Sequence, residues 1–363
     1  MSNRFAITLD SASDIWLQCI ESVRRRRWVM ATIGDVARRA GVSRSTVSYA
    51  LSGKRSISAE TRERIHEAIV ELGFTPNAGA RALATSQTMV IGLFVHFFAD
   101  EFSPAMLQYV LPISDAAREA GYDILMVTET DGPQVLRRIA SSEMVDGIIL
   151  LNVAHNDARI PVLRQARQPG STVGLPSNTD GVDVFDLDFE ESARMLVEHL
   201  RERGHRSIIL ITPQQHVFER GGAYAWRFRD AALERASRYG IQMFSYAGET
   251  QQPAVNRQLN EILDARPEAT AMIVHNDAAI AALPSVLHDR GIGVPDDLSV
   301  VGIFSEEFGR LFSLPYTAVE TSPDELGRSA VQALVRRMVD PAAAGEYAVR
   351  FVEPRITDRG STR

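Results

Sequence analysis

Arg44, Ser45, Ser48, Tyr49 and Ser52 fall on one face of a helix whose opposite face carries Val47, Ala50 and Leu51. That outer face is small, polar and hydrogen-bonding, and an arginine on it can pair bidentately with the O6 and N7 edge of guanine. The chemistry on offer is recognition rather than bond breaking. A second helix must position this face. Ile33, Val36, Ala37 and Ala40 recur at i, i+3, i+4 and i+7, which lines one apolar stripe of a helix just upstream. Thr32 with Asp35 three residues later is an N-terminal capping signal, and Ser43 can cap the second helix. Gly41 lies where the first helix must stop, because glycine takes the left-handed conformation that other residues avoid. Two helices about a glycine turn have the pattern of a helix-turn-helix, whose second helix enters the DNA major groove. The same periodicity fits an ordinary helical hairpin.

The chain offers no catalytic constellation to compete with recognition. It has no GxSxG, no HExxH, no phosphate-binding loop and no G-x-G-x-x-G after a strand. Its eight histidines are scattered without ligand spacing, so neither a metal nor a cofactor is expected. Asn276 and Asp277 follow the apolar run AMIVH, the place where open α/β sheets bind ligands, yet no partner base or nucleophile is nominated there. Cys19 is the single cysteine, which excludes an intramolecular disulfide and makes a reducing cytoplasm the simplest compartment. No run approaches the roughly 18 apolar residues of a membrane span, so no membrane partner is expected.

At 363 residues the chain can bury two or three cores. Its net charge of −7 argues against nucleic acid, but the distribution reverses that inference. Residues 24–90 hold 12 Arg and Lys against 5 Asp and Glu, a basic head on an acidic body. Ser58 caps a third helix with Ile65, Ile69 and Leu72 on one face. From Met89 on, apolar runs alternate with amphipathic helices: VIGLFV, DILMVT, GIILLN and STVGL, then SIILIT, IQMFSY, AMIVH and LSVVGI. Strands spaced by helices predict parallel, doubly wound sheets, and the number of runs is enough for two.

From Thr32 to Val95 the chain resembles the lactose-repressor/galactose-repressor (LacI/GalR) family of bacterial transcription regulators. The resemblance rests on TIGDVARRAGVSRSTVSYALSGK, on SAETRERIHEAIVELGFTPNAGARAL and on the passage into a strand at IGLFV. Weaker echoes follow in VDGIIL, ERGHRSIILI, HNDAAIAAL, VPDDLSVVGI and DELGRSAVQALVRRM. It implies an N-terminal all-α helix-turn-helix head over 30–76, joined by a hinge helix and linker (77–88) to an α/β two-lobed core resembling type I periplasmic binding proteins (89–357). The first lobe would take about 89–188 and 319–344, the second about 189–318 and 345–357, with 358–363 as a tail. Residues 1–29 lack the apolar core of an export signal. Family members usually begin just before the first helix, so 1–29 is expected to be an over-extended reading frame or a disordered arm ahead of Met30.

The same resemblance assigns DNA contacts to Thr32, Arg44, Ser45, Thr46, Ser48 and Tyr49, and to Asn77, Arg81 and Leu83 of the hinge. Leu83 matches the leucine that wedges into the minor groove. The implied function is a homodimeric, cytoplasmic repressor that binds a palindromic operator in double-stranded DNA and answers to a small-molecule effector. A solute-binding receptor or enzyme on the same two-lobed fold is the alternative. The implied effector site comprises Phe97, Phe98, Asp100, Arg220, Tyr224, Asn276 and Phe304. Here the chain departs from its relatives. Tyr224 falls where they commonly carry an Arg, and Phe304 where they carry an Asp, which disfavours a polyol because desolvated hydroxyls need fixed polar partners. Arg220 or Arg227 and Glu306 or Glu307 are the alternatives that could restore those charges.

Overall fold

The computed structural model describes residues 31–52, 55–74, 87–98, 103–128, 131–340, 342 and 345–363. It divides after Gln87 into two compact units. The expectations for 1–29, for Asn77, Arg81 and Leu83 of the hinge, and for Asp100 lie outside the described residues. Among the described residues no helix is long and apolar enough to cross a membrane.

The first unit contains α1 (Ile33–Ala40), α2 (Arg44–Ser52) and α3 (Ala59–Leu72). Thr32 and Asp35 form the reciprocal cap at the start of α1, and Gly41 ends it at φ 65°. The turn residue Val42 returns its N–H to the Ala37 carbonyl, which satisfies an orphan acceptor of the last turn. Val36 and Val47 are fully buried, and Ile65, Ala68 and Phe74 close the core over them. Leu51 departs from expectation: it is exposed, so α2 seats itself on Val47 with Ala50 half-buried.

The second unit contains two six-stranded sheets. The first is built from β1 (Val90–Phe94), β2 (Asp123–Val127), β3 (Gly147–Leu151), β4 (Gly170–Val173) and β5 (Asp183–Leu187), with α4 (Ser103–Glu119), α5 (Gly132–Ser141) and α6 (Ile160–Gln165) between strands. The second follows with α7 (Phe189–Glu202), β6 (Ser207–Thr212), α8 (Gln215–Glu219), α9 (Ala223–Arg238), β7 (Gln242–Ala247), α10 (Ala254–Ala265), β8 (Ala271–Val274), α11 (Asp277–Asp289), β9 (Ser299–Ile303), α12 (Glu306–Leu311) and β10 (Thr317–Val319). The chain then returns through α13 (Pro323–Val339), which packs on α4 and across β3, β4 and β5. Both sheets share one strand order, β2-β1-β3-β4-β5 and β7-β6-β8-β9-β10, with every one of these pairs parallel. Parallel strands covered on both faces read as continuous apolar runs, which is why GIILL and AMIV are buried throughout.

Two boundaries differ from expectation. The last crossing was expected near Gly345, but β11 (Val349–Val352) pairs with β5 in the first sheet, so the chain crosses only after it and adds β12 (Ile356–Thr357) antiparallel to β10. The cause is a buried arginine. Arg337 donates bidentately to Asp183 at 2.5 and 2.9 Å and to the Gly345 and Glu346 carbonyls, while Asp183 also accepts the Ala348 N–H. Residues 358–363 are likewise no loose tail. Ser361 Oγ accepts from the Thr317 N–H at 2.7 Å and donates to the Val300 carbonyl, and Arg359 pairs with Glu320. The sequence-based reading also passes over β5 and β10. In β5 two aspartates interrupt the apolar run.

Removing one partner of a buried ion pair leaves an uncompensated charge, which costs about 3 to 5 kcal/mol. Asp183→Ala is therefore expected to lower core stability by that amount in chemical denaturation. The double change Asp183→Leu, Arg337→Met should recover most of it. A loss below about 1 kcal/mol for the single variant, as at a surface pair, would contradict the role assigned to Arg337.

Candidate functional site

In the head, Arg44, Ser45 and Tyr49 are exposed on α2, with Thr46 and Ser48 half-buried beside them. The Ser43 hydroxyl accepts the Thr46 N–H at 3.1 Å and shares hydrogen bonds with the Ser45 and Thr46 hydroxyls at 2.7 and 2.8 Å. Thr32 is held by Asp35, to which its N–H and hydroxyl both donate. These hydroxyls serve the caps and stay at the surface. Sequence reading missed Gly34: a Cβ there would stand 2.9 Å from the exposed Arg44 guanidinium, so a larger residue would displace that side chain from the start of α1.

In the core, a cavity of about 180 Å³ opens at the C-terminal ends of both sheets. Residues just past β1, β3 and β4 face residues just past β6, β8 and β9, the position at which open α/β sheets bind ligands. Contacts cross it from lobe to lobe. Ser305 donates to Gln108 on α4, and the His155 N–H donates to the Gly221 carbonyl at 2.7 Å. Arg227 on α9 donates to Asp186 on β5 at 2.6 Å and to Glu190 at 2.8 Å. Burial pushes Asp186 up to about 6, against the pull of that guanidinium.

The expected effector residues do not all serve alike. Phe97, Phe98, Tyr224, Asn276 and Phe304 line the cavity. Phe98, however, already carries His96 stacked at 3.9 Å and the Arg220 guanidinium 3.8 Å from its centre. Arg220 is exposed and outside the lining. Phe304 is 1 % exposed, seated in a socket where a Cβ on Gly302 or Gly309 would meet its ring at 2.7 or 2.9 Å. It backs the cavity as core. Asn276 caps α11, its Oδ1 accepting from Ala279 N–H at 2.8 Å and its amide donating to the Thr212 carbonyl. Its acceptor is spent on the helix. Nor do the alternatives restore the missing charges: Arg227 is bound by Asp186 and Glu190, and Glu306 and Glu307 are exposed on α12.

Sequence reading did not anticipate how much of the wall comes from elsewhere. Phe189, Tyr224 and His275 form a triangle with ring centres 5.5 to 5.8 Å apart. Burial alone holds His275 down to about 3, and its Nδ1 has no hydrogen-bond partner. Beside it Asp277, the first residue of α11, is pushed by burial up to about 7. Tyr109, bonded to Thr321, is raised by burial and by the nearby Asp277 and Asp186 charges. The signal for His275 and Asp277 is their place at the end of the apolar AMIV run, and Phe189 has none because β5 is not legible. Among the described residues no cluster of His, Cys, Asp and Glu could hold a metal ion.

Comparison with known proteins fits both units. Residues 32–77 match the model of bacterial regulatory proteins of the lacI family, and 197–362 match a periplasmic binding protein-like domain. The chain is 31% identical over 326 residues to the HTH-type transcriptional regulator CelR of Thermobifida fusca, covering 87% of this chain and 93% of that one. It is 28% identical over 341 residues to the HTH-type transcriptional repressor PurR of Aliivibrio fischeri, covering 92% and 98%. Among solved structures, a CelR–cellobiose complex is similar at 26% identity and a TM-score of 0.63, covering 91% and 99%. The lac repressor dimer bound to operator and the anti-inducer ONPF is similar in fold at 24% identity and a TM-score of 0.77, covering 92% and 99%.

Asp277 gives a pH signature. Its folded pKa of about 7 lies above the ordinary 3.8, so the folded state prefers the neutral acid. Its contribution to stability is fully present below the unfolded value and falls as pH rises from about 4 to about 7. Asp277→Asn should therefore remove that slope from the Tm-versus-pH profile and raise Tm above neutral pH. Identical profiles for the two proteins would contradict the burial of this carboxyl.

Proposed function

The chain belongs to the lacI family of bacterial regulatory proteins, and from that premise we propose that it acts as a homodimer on a palindromic operator. It is a DNA-binding transcriptional repressor regulated by a small-molecule effector, and not an enzyme. The observation that carries the operator reading is the exposed Arg44, Ser45 and Tyr49 face on a second helix capped by Ser43, inside the segment that matches the lacI family. Arg44, Ser45 and Tyr49 read base edges, while Thr32, Thr46 and Ser48 fix the helix against the backbone. Asn77, Arg81 and Leu83 extend the contact into the minor groove, Leu83 as an apolar wedge. The compartment is the cytoplasm, where the DNA is.

The effector sits in the cleft between the lobes. The CelR structure was solved with cellobiose, and the lac repressor dimer with operator and ONPF, which supports a ligand and a dimer in this architecture. Tyr224, with Phe97 and Phe189 around it, supplies apolar and ring surface in place of the charges a sugar would use. The ligand acts by favouring one arrangement of the lobes over another. It can shift that equilibrium only by its difference in affinity for the two. The hinge segments of the paired subunits read the change, and specific affinity for the operator follows.

Metabolite screening by thermal shift, followed by operator binding in the presence of each hit, identifies the effector. Tyr224→Ala should keep operator binding and weaken the response to that effector by roughly thirtyfold, the equivalent of about 2 kcal/mol of lost ring contact. An undiminished response would remove Tyr224 from the site. Phe304→Ala is no substitute test, because emptying its socket destabilises the second lobe.

A further inference from the structure

We propose that the effector is an organic cation, an ammonium group on a ring-bearing or alkyl body, seated against Phe189, Tyr224 and His275 with Asp277 as its counter-ion. The inference rests on the cleft being the effector site and adds the charge of the ligand.

Three observations lead to it. The first is the balance of charge around the cavity. Its described lining includes the carboxylates Asp186 and Asp277 and no Arg or Lys. Behind the wall Arg227 is shared between Asp186 and Glu190, and the exposed Arg220 guanidinium lies over the ring of Phe98. Arg159 is turned to Asp157, held at 2.7 and 2.9 Å. Asp277 has no basic partner among the described residues.

The second is the shape and character of the wall beside Asp277. Phe189, Tyr224 and His275 present three rings about 5.5 to 5.8 Å apart, and Phe228 braces His275 from the core at 4.4 Å. Aromatic faces are negative at the ring centre and attract a cation held over them, more strongly where water is excluded. His275 does not spoil this wall with a charge of its own, since burial keeps it neutral.

The third is what other ligands would meet. A neutral ligand gives Asp277 no charge partner, and the carboxyl stays a neutral acid beneath it. An anion would add a like charge to two carboxylates. A polyol would find one lone pair of the Asn276 amide oxygen already engaged by the α11 N-terminus. A cation gains from the carboxylates and from the ring faces together.

Calorimetry on the full-length protein with three matched probes tests the assignment: 2-phenylethylammonium, 2-phenylethanol and 3-phenylpropanoate. The expected result is that the ammonium probe binds at least about tenfold more tightly than the alcohol and that the carboxylate binds weakest. Asp277→Asn should collapse the preference for the cation while leaving the alcohol's affinity in place. If that variant does not fold, the rank order on the wild-type protein decides. Equal or tighter binding of 2-phenylethanol overturns the cation while leaving the cleft as the effector site. Absence of heat from all three at millimolar concentration overturns the ring-and-cation assignment, and the cleft is then judged separately by the Tyr224→Ala response to the natural effector. Retained cation preference in Asp277→Asn overturns the role of that carboxylate.

Discussion

Two carboxylates on one strand hold the core together, and both are buried beside arginines far away in the chain. Asp183 is matched by Arg337, 154 residues on, and Asp186 by Arg227, 41 residues on. Each guanidinium forks across its carboxylate or between two of them, which fixes orientation as well as distance. The first pair stays within the first lobe and fastens the return of the chain, so that β11 can add to the edge of β5. The second joins β5 of the first lobe to α9 of the second. Neither charge can be left alone in so dry a place without a large cost, so the two lobes are not free to slide past each other at this point. Packing alone would not impose such a restriction.

The cleft inherits its character from this arrangement. Arg227 is close enough to supply the positive charge that a polar ligand would want, but it is committed to Asp186 and Glu190. The wall that remains is made of rings, with Asn276 engaged in capping and Ser305 engaged with Gln108. A regulator of this architecture needs a ligand-sensitive contact between the lobes and a head that reads the outcome. The contacts through Ser305, Gly221 and Arg227 all cross from one lobe to the other, and the first and last border the cavity itself. A ligand entering there must therefore compete with, or add to, interactions that set the lobe arrangement.

Much of this was legible in the amino-acid sequence. The head could be read almost completely because its signals are local: a cap at Thr32, a stop at Gly41, a cap at Ser43 and apolar spacing fix three helices within 41 residues, 32–72. Leu51 misled because periodicity gives a face but not its width. The parallel strands were legible wherever burial on both sides made an unbroken apolar run. β5 was hidden because DVFDL carries two acids that look like loop residues until their arginines are brought up by the fold. In the cleft, Tyr224 and Phe304 both line the cavity, but sequence cannot say that the Phe304 ring fills a socket or that the Phe98 ring is already stacked. Those facts depend on neighbours from other strands. In sequence the Asp277 carboxyl reads as a candidate acid with no partner base. The same lack of a partner is what gives it meaning in a binding site.

If the arrangement of the lobes, held by the pair Asp186 and Arg227, sets affinity for the operator, breaking that pair must change operator binding. The direct measurement is a double-mutant cycle on operator Kd with full-length protein and no effector: Asp186→Asn, Arg227→Met and both together. The single changes are expected to alter specific affinity by about tenfold, within the ordinary range of allosteric coupling, and the double change to be far from their product. Non-specific DNA binding should stay constant, since the head is untouched. Operator affinities that match wild type in all three folded variants would contradict it.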